Sequence, residues 1–384
     1  MFVFCENYLT SKVNYQIPEG LQLFVVKDSI DVEGFPTTCG HIKLKDNIAK
    51  KSNMVIKKLL SNGYVCYGKC NMDVMSYGWF GENKFYGDLE NHKYPHLTSG
   101  GSSSGCAVAL SNELISFSIG EDTIGSIRIP SSLAGLYSYR PVNKYYSNDN
   151  MFKITKEYDQ IGIISRSYNL INEINSVITS SRESRTIDNG ITVSIPFNIL
   201  KGKVTNEILN TLEDIVFELN LNGVEIFFGN IDVVVTESSK LLRCIVEDEV
   251  DDLINFKLKE IGVSGLFNDM IDIDRYIPER IIKDKEKIRE DILREVSDYF
   301  LVSKSDFILL PVFYDEKNYK DNKIKLSDNF SYFTAISSLN KLSSFTIPIE
   351  SKLGYPLGFE LLFNPIKDDN VLLAKCGEIV NFIK

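Results

Sequence analysis

The sequence predicts an α/β sandwich, in which helices cover both sides of a mostly parallel or mixed β-sheet. Three observations carry that expectation. Short apolar runs alternate along the chain with longer segments of helical periodicity, 43% of the residues are hydrophobic against 24% charged, and no long linker divides the 384 residues. One large domain over 1–384 with a sizeable core is expected.

The elements follow in chain order. "LQLFVV" at 21–26 reads as a short buried strand that ends at Lys27. From Asp46 to Ser61 the apolar residues Ile48, Val55, Ile56, Leu59 and Leu60 recur at helical spacing, and Asn62 and Gly63 stop that helix. "YVCYG" reads as a second strand, and "ITVSI", "VEIFF", "FILLPVF", "FTIPI" and "LGFELLF" repeat the pattern later. Helices are expected at about 204–221, 238–260, 278–300 and 369–383. In the third, Ile281, Ile288, Ile292, Val296 and Tyr299 mark one apolar face, and Pro278 sits in the first turn, where its missing N–H is harmless. The polar stretch 314–329 reads as a surface loop.

Charge and composition narrow the function classes. A net charge of −10 argues against a broad nucleic-acid surface, which needs clustered Lys and Arg. Seven scattered cysteines fit a reducing compartment, and Cys66 and Cys70 lack the second ligand pair that zinc requires, so no metal is expected. No run reaches the roughly 18 apolar residues that span a bilayer, and the first twenty residues lack a basic n-region or an Arg-rich pattern.

The chemistry concentrates in "SGGSSSGCA", 99–107. This run resembles a linker, yet it leads into a packed apolar segment and then a second Gly/Ser turn, "EDTIGSIRIPSS". Paired glycine-rich turns suit a site where a substrate approaches free backbone N–H groups; a tight structural turn is the other reading. Only His41, His92 and His96 are available for a serine–histidine–acid triad, and the last two lie in a polar loop. Lys27, at the end of an apolar strand, is the alternative base for a serine nucleophile.

"GGSSSGCAVALSNELISFSIGEDTIGSIRIP" resembles the Gly/Ser-rich block of the amidase signature superfamily. The likeness extends to "VVKDSIDVEGFPTTCG", "YGKCNMDVMSYGWFGENKFYGD" and "YDQIGIISRS", at the family's spacings. It implies the amidase signature fold, with a signature core at 20–168, a divergent helical and strand insertion at 185–300 and a closing block at 303–384. It also implies a Ser–cis-Ser–Lys triad. Ser126 would be the nucleophile; Ser102, reached through a cis peptide after Gly101, would relay the proton; and Lys27, neutral through burial, would be the base. The backbone N–H groups of Thr123, Ile124, Gly125 and Ser126 would form the oxyanion hole, with Ser103, Ser104, Asp122 and Arg128 in support. Asn71 and Asp73 match as scaffold, and Trp79 as core or pocket wall. Ile124 departs from the family, which has a small residue there; a β-branched side chain would be strained if the position required positive φ.

Within the superfamily these blocks most resemble the glutaminase component of glutamyl-tRNA(Gln) amidotransferases, and the shortened chain rich in Asn, Lys, Ile and Tyr resembles a fungal mitochondrial form. That resemblance implies a glutaminase whose ammonia passes to a B subunit, which in turn modifies Glu-tRNA(Gln). ATP and Mg would be used by the complex through that partner, with a small third subunit, no cofactor in this chain, no membrane and a matrix location. The family's glutamine-binding Asp falls near Ser331, with Asp328 three positions away, and Arg280 is the candidate for its Arg. The alternatives are a stand-alone amidase for another small amide and a non-catalytic scaffold within a complex.

Overall fold

Why the chain forms one mixed sheet is visible in its first strand. In a computed structural model, which describes residues 22–181, 190–252, 279–318 and 323–383, β1 (Leu23–Lys27) is buried along its whole length. Phe24 and Val26 enter one hydrophobic cluster, Leu23 and Val25 another. Side chains alternate across a strand, so this run is buried on both faces and must lie inside the sheet.

The elements after β1 are α1 (Met54–Ser61), β2 (Val65–Cys70), α2 (Ser104–Ala109), β3 (Ile115–Asp122), α3 (Arg128–Ala134), β4 (Tyr137–Arg140), β5 (Gln160–Ser165) and α4 (Tyr168–Thr179). There follow β6 (Thr192–Pro196), α5 (Phe197–Leu200), α6 (Asn206–Leu221), β7 (Glu225–Gly229), α7 (Ser238–Asp252), α8 (Glu279–Lys283) and α9 (Lys285–Ser303). The chain closes with β8 (Phe307–Pro311), α10 (Lys323–Leu339), β9 (Ser344–Glu350), β10 (Pro356–Phe363) and α11 (Asp369–Phe382). Ten strands form one sheet in the order β2-β1-β3-β5-β4-β9-β10-β8-β6-β7. The β2-β1-β3 and β8-β6-β7 ends are parallel, and the strands between them pair antiparallel. This is the mixed sheet of the predicted α/β class.

Several elements differ from the sequence reading for identifiable reasons. The helix expected at 278–300 breaks at Asp284 (φ −111°, ψ 21°) into α8 and α9, although all five residues of its apolar face are buried. Pro278 and the end of the helix expected at 238–260 lie outside the described residues. The 314–329 loop is partly helical, because α10 begins at Lys323. Its Asn329 is buried and accepts hydrogen bonds from the Tyr314 N–H (2.7 Å) and the Asp315 N–H (2.9 Å). Strands β4 and β5 and helix α4 escape the apolar-run reading. β4, "YSYR", contains only aromatic and polar residues and is buried because Ser138 and Arg140 find polar partners inside.

Candidate active site

The two Gly/Ser turns meet at the ends of β1 and β3, which are adjacent and parallel. Lys27 ends β1 and is fully buried. Its Nζ donates to Ser102 Oγ at 2.8 Å, and Ser102 Oγ donates to Ser126 Oγ at 3.1 Å. The Gly101–Ser102 peptide is cis. The fold thus joins three residues far apart in sequence into one hydrogen-bonded chain, buried except for a slight exposure at Ser126 (7%).

The scaffold residues hold the turns from beneath. Asp73 accepts hydrogen bonds from the Phe80, Gly81 and Glu82 N–H groups, and burial pushes its carboxyl up to about 7 against those donors. A Cβ at Gly101 would lie 2.0 Å from Asp73 Oδ2, so the backbone before Ser102 passes where only glycine fits. Asn71 donates to the Gly87 carbonyl at 2.8 Å. Ser103 Oγ donates to the Glu121 carbonyl (2.9 Å), and the Ser103 N–H to the Ser126 carbonyl (3.1 Å), tying one turn to the other. Trp79 is partly buried where two of the hydrophobic clusters meet.

Asp122 organises the loop around Ser126. Its Oδ1 accepts from the Gly125 N–H at 2.8 Å and its Oδ2 from the Ile127 N–H at 3.0 Å. Arg128 donates to the same carboxylate through Nε (3.0 Å) and Nη2 (2.9 Å), and Arg140 adds an ion pair at 3.2 Å. Burial alone would raise the Asp122 carboxyl, but Arg128 and Arg140 hold it well below the usual carboxylate range. Arg128 also pairs with Glu360 on β10 (2.9 Å) and donates to the Thr334 carbonyl (2.9 Å), so the nucleophile loop is anchored to the closing block.

Two expectations about this loop change in detail. The Gly125 N–H, expected to point into the oxyanion hole, is committed to Asp122. Ile124 is not strained, because the positive φ falls at Gly125 (+123°) and not at residue 124. The Ile124 side chain is buried in a cluster with Met75, Ile154 and Leu241, and Thr334 Oγ1 donates to its carbonyl.

One residue escaped the sequence reading. Glu121, at the end of β3, is buried and places Oε2 2.7 Å from Lys27 Nζ. Its Oε1 is 2.9 Å from Thr123 Oγ1, which is 2.8 Å from Asp159 Oδ1. The available signal was a second carboxylate, directly before Asp122, in a strand otherwise made of apolar and small residues.

The substrate-recognition candidates have partners of their own. Ser331 Oγ hydrogen-bonds Ser239 Oγ at 2.6 Å, Asp328 pairs with Lys203 at 3.4 Å, and Arg280 pairs with Glu237. The six described cysteines are free thiols, and no cluster of metal-ligating residues occurs among the described residues. No described helix is long and apolar enough to cross a membrane.

A family model for amidases matches residues 22–372. The chain belongs to the amidase family. It is 35% identical over 167 residues to the glutamyl-tRNA(Gln) amidotransferase A protein of Methanococcus vannielii, a match spanning 42% of this chain and 39% of that protein. Over 221 residues it is 31% identical to Amidase 1 of Arabidopsis thaliana, covering 56% of this chain and 50% of the plant protein. The chain thus matches no more than half the length of these two relatives. The solved structure of the corresponding glutamyl-tRNA(Gln) amidotransferase protein from Thermotoga maritima superposes with a TM-score of 0.77 at 22% identity, over 92% of this chain and 81% of that one. At that identity the likeness establishes the amidase signature fold. The amidase match spans Lys27, Ser102 and Ser126.

Proposed function

We propose that this amidase is the glutaminase component of a glutamyl-tRNA(Gln) amidotransferase, releasing ammonia from glutamine through Ser126, Ser102 and Lys27. The observation that carries the chemistry is the unbroken path from Lys27 Nζ to Ser102 Oγ (2.8 Å) and on to Ser126 Oγ (3.1 Å). Ser126 Oγ attacks the side-chain amide carbon while its proton passes to Ser102 and the Ser102 proton passes to Lys27. Lys27 then returns a proton along the same path to the departing nitrogen, which leaves as ammonia, and water releases glutamate from the acyl-enzyme. The free N–H groups of the 123–126 turn stabilise the oxyanion, with Gly125 serving the loop's architecture instead.

The assignment to the amidotransferase is supported by the named relatives. It brings with it a B subunit that uses ATP and Mg to activate Glu-tRNA(Gln), an organellar setting and a small third subunit. The chain's net charge of −10 suits a component that leaves tRNA binding to a partner. The plant amidase match favours a second reading, a stand-alone amidase acting on another small amide. Ammonia release from glutamine, measured on the chain alone and with its co-expressed partner and Glu-tRNA(Gln), separates the two. Partner-dependent release supports the first. Release from other amides, with glutamine inert in the full complex, overturns it.

A further inference from the structure

The hydroxyl of Thr123 lies between two buried carboxyls and has one hydrogen to give. It is 2.9 Å from Glu121 Oε1 and 2.8 Å from Asp159 Oδ1. If both carboxyls were ionised, one of these contacts would set two oxygen lone pairs against each other, so both are hydrogen bonds only when the pair holds a proton. Asp159 is well prepared for a negative charge. It also accepts from the Ile154 N–H (2.7 Å), the Thr155 N–H (3.2 Å) and Thr155 Oγ1 (2.8 Å). Glu121 instead has Lys27 Nζ at 2.7 Å from its other oxygen.

We propose that Glu121 is a positioning residue for Lys27 and that Asp159, through Thr123, decides whether Glu121 carries a proton. This inference rests on the reading of Lys27 as the base. With the proton on Asp159, Thr123 donates to an ionised Glu121, which holds Lys27 as an ammonium. The donor direction from Lys27 to Ser102 to Ser126 belongs to that state, in which Ser126 cannot pass its proton inward. When Asp159 ionises, Thr123 turns to donate to it. The negative charge of Asp159 is nearer Glu121 than Lys27, so the Lys27 proton moves to Glu121 Oε2, and the carboxyl turns about its Cγ–Cδ bond so that this O–H faces Thr123 Oγ1, which accepts from it, while the unprotonated oxygen faces Lys27. Lys27 becomes a neutral amine facing Ser102, ready to receive the nucleophile's proton. The only net change is the one proton that Asp159 releases to solvent.

Burial, followed by the charge of Glu121, pushes Asp159 up to about 7, which places the change near neutral pH. The other charged groups around the relay are Asp73 after β2, Asp28 with its partner Lys69 (3.3 Å), and Asp122 with Arg128 (2.9 Å) and Arg140 (3.2 Å). Arg140 also donates to the Tyr158 carbonyl at 3.0 Å, directly before Asp159.

The test uses the full chain and a fluorophosphonate probe, whose phosphorus is attacked by the serine oxygen with loss of fluoride. Labelling rates are measured from pH 5.5 to 8.5, with Ser126→Ala as the control that must not label. The wild type is expected to label faster as pH rises, with a midpoint near 7. Asp159→Asn and Thr123→Val should each lose that rise and label at least about tenfold more slowly at pH 8, the equivalent of one unit of proton affinity, whereas Glu121→Gln, which removes the charge that holds the ammonium, should lose the rise without that slowing. A wild-type pH profile retained in all three overturns the proposal. Carbon-13 NMR of aspartate-labelled protein gives a second reading that needs no reactive serine. A buried aspartate that titrates near pH 7 in the wild type and is missing from Asp159→Asn, and so is not Asp73, supports the relay even if the probe fails and Ser126 is not the nucleophile; its absence overturns the relay.

Discussion

Replacing Arg128 with methionine tests whether the nucleophile loop is held by buried charge. Arg128 is fully buried, and its guanidinium reaches Asp122 twice (3.0 and 2.9 Å), Glu360 (2.9 Å), the Thr334 carbonyl (2.9 Å) and Ser338 Oγ (2.8 Å). With Arg140 the cluster contains two guanidiniums and two carboxylates and is neutral. Methionine fills much of the volume but leaves two buried carboxylates facing one guanidinium. Breaking a buried pair on one side costs about 3–5 kcal/mol, a large part of the roughly 5–15 kcal/mol that holds a typical domain. Trp79, the single tryptophan, reports urea unfolding by fluorescence. Arg128→Met should lose about 3–5 kcal/mol at pH 7, and the deficit should shrink towards pH 4 as the orphaned carboxyls take up protons. Arg128→Lys keeps the charge but loses the two-pronged contact with Asp122, so it should fold and lose less. A deficit below about 1 kcal/mol for Arg128→Met, the range of an exposed pair, or one unchanged between pH 7 and pH 4, would refute the reasoning.

Other outcomes follow from the same geometry. Gly125→Ala should cripple activity and lower stability, since the residue has φ +123° and a Cβ would lie 2.7 Å from Ile129 Cδ1; an alanine variant with normal turnover would contradict this. Ile124→Ala should cost about 2–5 kcal/mol, as expected for a buried aliphatic side chain, without raising the amidase rate; a faster enzyme would mean that Ile124 crowds the oxyanion site. Asp73, raised to about 7, binds its proton more tightly in the native than in the unfolded chain. Its contribution to stability is therefore complete below pH of about 4 and is lost as pH rises through about 7. Urea titrations should show this decline between those pH values, and Asp73→Asn should flatten part of it, the remainder belonging to Asp159.

The sequence made the strands and the serine–lysine constellation legible for physical reasons. β1 and β3 are apolar runs buried on both faces, and the glycines around Ser102 stand where close packing forbids a Cβ. What escaped was polar and non-local. β4 is buried through Ser138 and Arg140, whose partners come from α3 and β3, so its burial has no hydropathic signature. Glu121 is one glutamate in a strand, and its meaning comes only from Lys27 and Asp159, brought beside it by the β1–β3 and β3–β5 pairings. The break at Asp284 left the apolar period unchanged and could not be seen in the pattern of buried residues.

The most direct test of the central claim is acyl transfer to hydroxylamine. An acyl-enzyme formed on Ser126 from glutamine should be intercepted to give γ-glutamyl hydroxamate, measured by mass spectrometry with the co-expressed partner present. The account predicts hydroxamate from the wild-type chain and none from Ser126→Ala. Hydroxamate formed equally by both proteins, or none from glutamine or any other amide with the wild type, would contradict it.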